Sequence, residues 1–129
     1  MITDKTRELL ADYFKLLVTG GTLTDTGGNN IGTISAGSAK IGVGGNTTSP
    51  LALDLDVPLT TVTPTAQKTG ENVIQVMLEE VGSNIASKLI REMGIFDNDG
   101  KMLGRVNFEA VGPFSGTERI QIFLTLEVE

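Results

Sequence analysis

Hydrophobic positions change their period along this chain. Leu9, Leu10, Tyr13, Phe14, Leu16 and Leu17 recur at three- and four-residue spacing, which predicts an amphipathic helix. Thr3 or Asp4 can cap its start, Glu8 and Asp12 lie nearer that end, and Gly20-Gly21 stops it. Such a helix, spanning 1–20, is expected to pack on the core or on a neighbouring subunit. From Thr19 to about Pro50 the periodicity dissolves into Gly, Thr, Ser and Asn, which favour turns and short strands. Leu23, Ile31, Ile34, Ile41 and Val43 punctuate this stretch, and Ala39 to Val43 is its clearest strand. Pro50, Pro58 and Pro64 then break regular pairing, predicting an extended, edge-like or interface-forming path from Leu51 to Thr65.

The C-terminal half switches to period two. Ile120, Ile122, Leu124, Leu126 and Val128 alternate with Gln121, Phe123, Thr125 and Glu127, and Val106 and Phe108 alternate with Arg105, Asn107 and Glu109. Val73 to Glu79 and Lys88 to Phe96 are less regular but rich in branched apolar residues. Val76 to Val81 has helical propensity, yet its strand-like neighbours and the turn signal Gly82-Ser83-Asn84 favour a strand. The expected fold is a single α+β, mostly β domain over 1–129. It comprises an N-terminal helix (1–20), a loop-rich segment with short strands (21–66) and an antiparallel meander (67–129). The helix packs with an antiparallel sheet or sandwich of about four to six strands, joined by long Gly/Thr-rich loops.

Composition narrows the chemistry. A chain of 129 residues can bury a core without staples. The absence of Cys removes disulfides and thiolate zinc sites, and the absence of His removes the usual general base and the commonest metal ligand. With no Trp, one Tyr (Tyr13) and five Phe, the chain has few aromatic platforms for single-stranded nucleic acid or for sugars. A net charge of −6 repels phosphate backbones and anionic membranes. No apolar run approaches the roughly 20 residues of a membrane helix, and the first residues lack a signal peptide's apolar core. The expectation is a protein made in the cytosol, with neither nucleic acid nor membrane as partner.

Three groups of residues invite a chemical reading. Asp97-Asn98-Asp99-Gly100 crowds oxygen ligands at a turn. An EF-hand with Gly100 at its sixth position would begin on Ile95 and end on Val106, and neither can ligate calcium. A hairpin tip between Ile95-Phe96 and Met102-Leu103 accounts for every residue. The Gly-rich stretches Gly42-Val43-Gly44-Gly45-Asn46 and Gly37-Ser38-Ala39-Lys40 lack the spacing of phosphate-binding loops and no helix pattern follows them. Asn46-Thr47-Thr48 reads as a turn rather than a glycan site. Of the carboxylates, Glu79-Glu80, Asp54 with Asp56, and Glu92 are the candidates for hydrolytic chemistry, but solvated faces account for them. No catalytic residue, cofactor or metal site is expected.

The segment I-R-E-M-G-I-F-D-N-D-G-K-M-L-G-R, Ile90 to Arg105, resembles a strand-turn-strand found in the N-terminal, tail-attaching domain of tailed-bacteriophage tail-fibre (tail-collar-fibre) proteins. Those domains carry a stretch of the form I-x-E-x-G-[LIF]-[YF]-D-x-D-G-x-L after a Gly-rich turn. The matching positions are Gly82 for the turn, then Ile90, Glu92, Gly94, Ile95, Phe96, Asp97, Asp99, Gly100 and Leu103. Upstream, K-I-G-V-G-G-N-T-T-S-P-L-A-L-D-L-D-V-P-L is similar to the same domains' short strand, Gly-rich bend, Thr and Pro, and Leu-bearing segment. The resemblance runs from about Lys40 to Phe108; the family's E-x-x-R is replaced by Asp56-Val57-Pro58-Leu59, and no shaft repeats or receptor-binding tip follow. It implies a non-enzymatic virion component, a tail or baseplate adaptor that attaches a fibre, self-associating and docked to other virion proteins, with Glu92, Gly94, Ile95, Phe96, Asp97, Asp99 and Gly100 as a structural hairpin. A capsid decoration protein and a carbohydrate-binding module are the alternatives.

Overall fold

The computed structural model describes residues 1–46 and 53–129. The first element is α1 (Asp4–Thr19). The Thr3 side chain caps it by accepting the Thr6 N–H at 3.3 Å. At its other end the Gly20 N–H closes on the Leu16 carbonyl at 2.7 Å, with a φ of 76° that only glycine adopts cheaply. The face it buries differs from the expected leucine stripe. Ala11 and Val18 are fully buried, Phe14 packs beside them, and Leu10 and Tyr13 lie exposed. Small Ala11 lets the helix approach closely, so the buried row runs 11, 14, 18 rather than through the larger residues. The helix packs on its own chain, and Lys68 ties it down by reaching Asp12 at 2.9 Å and Glu8 at 3.9 Å.

Nine strands follow among the described residues. A small hairpin, β1 (Gly21–Thr24) with β2 (Asn30–Ile34), stands beside the helix. The remaining strands are β3 (Ser38–Gly42), β4 (Pro58–Val62), β5 (Thr65–Gly70), β6 (Val73–Val81), β7 (Ile90–Phe96), β8 (Met102–Val111) and β9 (Arg119–Glu127), with one turn of helix, α2 (Gly82–Ile85), between β6 and β7. They form a four-stranded sheet, β4-β3-β7-β8, and a three-stranded sheet, β5-β6-β9, antiparallel throughout. The α+β, mostly β architecture is as expected. The 76–81 stretch is strand, and the Pro58 segment does run along a sheet edge.

One expectation needs correction. The C-terminal half is not one meander: β6 pairs with β9 while β7 and β8 pair in the other sheet. The switch occurs at Gly82-Ser83-Asn84, where the chain makes a helical turn instead of a hairpin. A Cβ on Gly82 would meet the Ser115 and Glu118 carbonyls, so only glycine lets the β8–β9 connection cross here. Ala39, Ile41, Ile90, Met93 and Ile95 from one sheet and Ile74, Val76, Leu78 and Ile120 from the other join Ala11 and Val18 in a single core. Each buried Ile or Leu contributes about 1.5–3 kcal/mol. Period-two alternation identifies β9 as a strand with one apolar row, but it cannot say which strand pairs with which. Among the described residues no helix is long and apolar enough to cross a membrane.

Candidate functional site

The D-N-D-G turn closes the β7–β8 hairpin. Asp97 Oδ1 accepts the N–H of Asp99 at 3.0 Å and of Lys101 at 2.9 Å. The Gly100 N–H donates to the Asp97 carbonyl, and Gly100 takes a φ of 80°. The β1–β2 hairpin repeats this construction. Asp25 Oδ1 accepts from Gly27 and Asn29, both at 2.9 Å, the Gly28 N–H donates to the Asp25 carbonyl, and Gly28 has a φ of 82°. The common signature is D-x-x-G, an Asx turn followed by a left-handed glycine, with a register shift just before each Asp. Asp25 is held below the usual carboxylate range, chiefly by the Asn29 backbone N–H and then by its side chain. Glu118 is lowered in the same way by hydrogen bonds from Ser115.

The strand before the turn carries a less obvious arrangement. Lys40 lies opposite Gly94 and Gly42 opposite Glu92 across β3–β7, while Arg105 faces Gly94 and Asn107 faces Glu92 across β7–β8. Alternation therefore puts Lys40, Gly42, Glu92, Gly94, Phe96, Arg105 and Asn107 on one face of the four-stranded sheet. Met93 and Ile95 point the other way, into the core. The segment Asp54 to Val57 crosses this outer face. Leu55 is buried on it, and a Cβ on Gly94 would lie 3.1 Å from Leu55 Cδ2 and 3.2 Å from Phe96 Cε2. Gly94 is thus the space into which Leu55 fits. Lys40 Nζ pairs with Asp54 at 3.1 Å and sits 4.7 Å from the centroid of the Phe96 ring.

Glu92 is 0% exposed. Its carboxylate accepts the Gly45 N–H and, at 3.4 Å, the Val57 N–H, and lies 4.0 Å from the Arg105 guanidinium. Arg105 also approaches Asp56 at 3.5 Å, donates to Asn107 at 2.8 Å and to the Asp54 carbonyl at 3.2 Å. Asp56 in turn accepts the Asn46 N–H at 2.6 Å. A Cβ on Gly44 would fall 2.5 Å from Glu92 Oε2 and 2.5 Å from Asp56 Cβ, which explains why this bend is glycine-rich. The stretch 42–46 does cradle carboxylates with its backbone, but they are the chain's own Glu92 and Asp56.

The remaining carboxylates disperse. Glu79 is half-buried in an ion pair with Arg119 at 2.9 Å. Glu80 is 7% exposed and accepts bonds from Thr60 at 3.2 Å and from Val81 and Asn84 at 2.8 Å each. Solvated faces therefore do not account for Glu80 or Glu92: both are buried and hydrogen-bonded, Glu92 by the N–H groups of Gly45 and Val57 outside the strands and Glu80 by the Val81 N–H and the Thr60 and Asn84 side chains. Glu92, Gly94 and Phe96 line the outer face, Ile95 lies in the core, and Asp97, Asp99 and Gly100 form the hairpin tip. Arg105, Asn107 and the three glycines 42, 44 and 45 around Glu92, and Leu55 over Gly94, are not singled out by the sequence as neighbours of this strand. The only signal was parity, Glu92-x-Gly94 on one strand and Gly42-x-Gly44 on the path beside it. Of the Asn46-Thr47-Thr48 turn, Thr47 and Thr48 lie outside the described residues, as does Leu51. No family model matches the chain, and no curated protein matches it.

Proposed function

We propose that this chain is a non-enzymatic structural component of a bacteriophage virion, a tail or baseplate adaptor that attaches a fibre. The observation that carries the reading is the meeting of two separately resembling segments. Glu92 and Gly94, from the I-x-E-x-G-I-F-D-x-D-G stretch, hold the backbone of Gly45 and Val57 and the side chain of Leu55, from the upstream Gly-rich, Leu-bearing stretch. The two halves of the resemblance are one interlocked unit, which supports inheritance as a module over coincidental likeness of each half. The E-x-G pair acts structurally in this reading: the acid neutralises backbone donors and the glycine admits a leucine. Docking to other virion proteins then falls to exposed strand edges and loops.

The test is immunogold electron microscopy of phage particles produced by cells expressing the chain with an epitope tag. Label at the tail end or baseplate is the expected result. Label distributed over the capsid lattice would make it a decoration protein instead, and unlabelled particles would remove it from the virion altogether.

A further inference from the structure

Four strands border the two main sheets, and three have blunted edges. Edge strand β4 starts on Pro58, and its register shifts at Ile41/Gly42; β5 has Lys68 and a shift at Lys68/Gly70; β8 shifts register twice against β7. Such devices deter further pairing. The fourth, β9, has none of them. Its nine residues, R-I-Q-I-F-L-T-L-E, contain no Pro, Gly or Lys and pair with β6 without a single shift. Among the described residues no strand covers its other edge.

The direction of its backbone groups follows from the ends of the ladder. The Val128 N–H donates to the Asn72 carbonyl at 2.9 Å, and the Gly82 N–H donates to the Glu118 carbonyl at 2.6 Å. Both residues on the β9 side are even-numbered and the register between them is unbroken. Even residues thus turn their N–H and C=O to β6, while Arg119, Gln121, Phe123, Thr125 and Glu127 turn theirs to the open edge. The side chains of those five residues are exposed, Phe123 at 56%. An apolar groove lined by Phe108, Val111, Ile120, Ile122 and Phe123 runs beside the edge.

We propose that the open edge of β9 pairs with the same edge of a second copy of this chain, antiparallel and centred on Phe123. The strand is charge-complementary to itself in that register and no other symmetric one matches both ends. A two-fold axis at Phe123 sets Arg119 against Glu127 of the second copy at both ends, Gln121 against Thr125, and Phe123 against Phe123. All five residues that aim backbone groups outward then meet residues that do the same, so each of those odd-numbered pairs is the hydrogen-bonded kind, alternating with non-hydrogen-bonded even pairs. On the inner side Ile122 faces Leu124 and Ile120 faces Leu126, extending the half-buried apolar row of each sheet into the other. Arg119 already touches Glu79 within its own strand pair, and with its side chain 67% exposed it reaches both carboxylates. This inference is independent of the virion reading.

Sedimentation equilibrium of the full chain tests it. The parent is expected to form a concentration-dependent dimer. Phe123→Pro removes an outward N–H and the exposed ring while leaving the bonds to β6 in place, and is expected to be monomeric with an unchanged far-ultraviolet spectrum. Glu127→Arg, which opposes two arginine pairs, is expected to weaken the dimer about tenfold, and Arg119→Glu with Glu127→Arg together to restore it. A parent that stays monomeric at millimolar concentration overturns the proposal. So does a dimer indifferent to Phe123→Pro, or one that the double reversal fails to recover; if Phe123→Pro does not fold, the charge-reversal pair decides alone.

Discussion

Asp25 and Asp97 hold two unrelated hairpins in one way, each carboxylate taking two backbone N–H groups across a left-handed glycine. Replacing Asp97 with Ala is expected to cost about 1 kcal/mol in chemical denaturation, since two hydrogen bonds at an exposed site disappear. Asp97→Asn retains the accepting oxygen and loses less. Asp99→Ala removes no acceptor from the turn and is expected to stay within about 0.5 kcal/mol of the parent. The hairpin tip at Asp97 to Gly100 was legible in the sequence because turn chemistry is local: Asp, Asn and Gly specify it without help from distant residues. Asp25 also carries a pH signature. Its carboxyl is lowered from the usual 3.8 by the Asn29 donors, so folding favours the charged form. The contribution is therefore present above that unfolded value and lost as pH falls through the lower folded one. Carboxyl chemical shifts are expected to titrate below 3.8 in the parent, with Asn29 amide exchange accelerating over the same acid window; an ordinary titration would remove the Asx turn.

At the scale of elements, alternation revealed β9, branched apolar residues before a turn signal revealed β6, and three- and four-residue hydrophobic spacing revealed α1, but pairing was hidden. Whether β6 joins β7 or β9 depends on a crossing at Gly82 that only close approach to Ser115 and Glu118 makes intelligible. The same limit hid the outer face of the four-stranded sheet. Glu92 looked like one more solvated carboxylate because the donors that bury it, Gly45 and Val57, lie 47 and 35 residues away. Its removal has a large expected effect. Glu92→Ala leaves those N–H groups unsatisfied and the Arg105 charge without its deepest partner, for a loss of about 3 kcal/mol in urea unfolding. Gly94→Val drives a side chain into Leu55 and Phe96 and is expected to cost about 1–3 kcal/mol, while the same change at exposed Gly116, where nothing lies within 4 Å, costs far less. Equal effects at the two glycines would contradict the packing described for Leu55.

For the whole molecule, the two sheets and α1 share one core, while a second, smaller apolar layer of Leu55 and Phe96 lies outside it under the Asp54 to Val57 segment. A chain this acidic keeps its buried carboxylates, Glu80 and Glu92, hydrogen-bonded. The virion reading rests on that outer layer being a single locked unit with the β7–β8 hairpin. Native-state hydrogen exchange measures it most directly. The Gly45 and Val57 amides are expected to exchange as slowly as those of Ile41 and Met93 in the central strands, and in Glu92→Ala to exchange far faster while Ile41 stays protected. Gly45 and Val57 amides that exchange at the rate of an open chain in the parent would contradict the account.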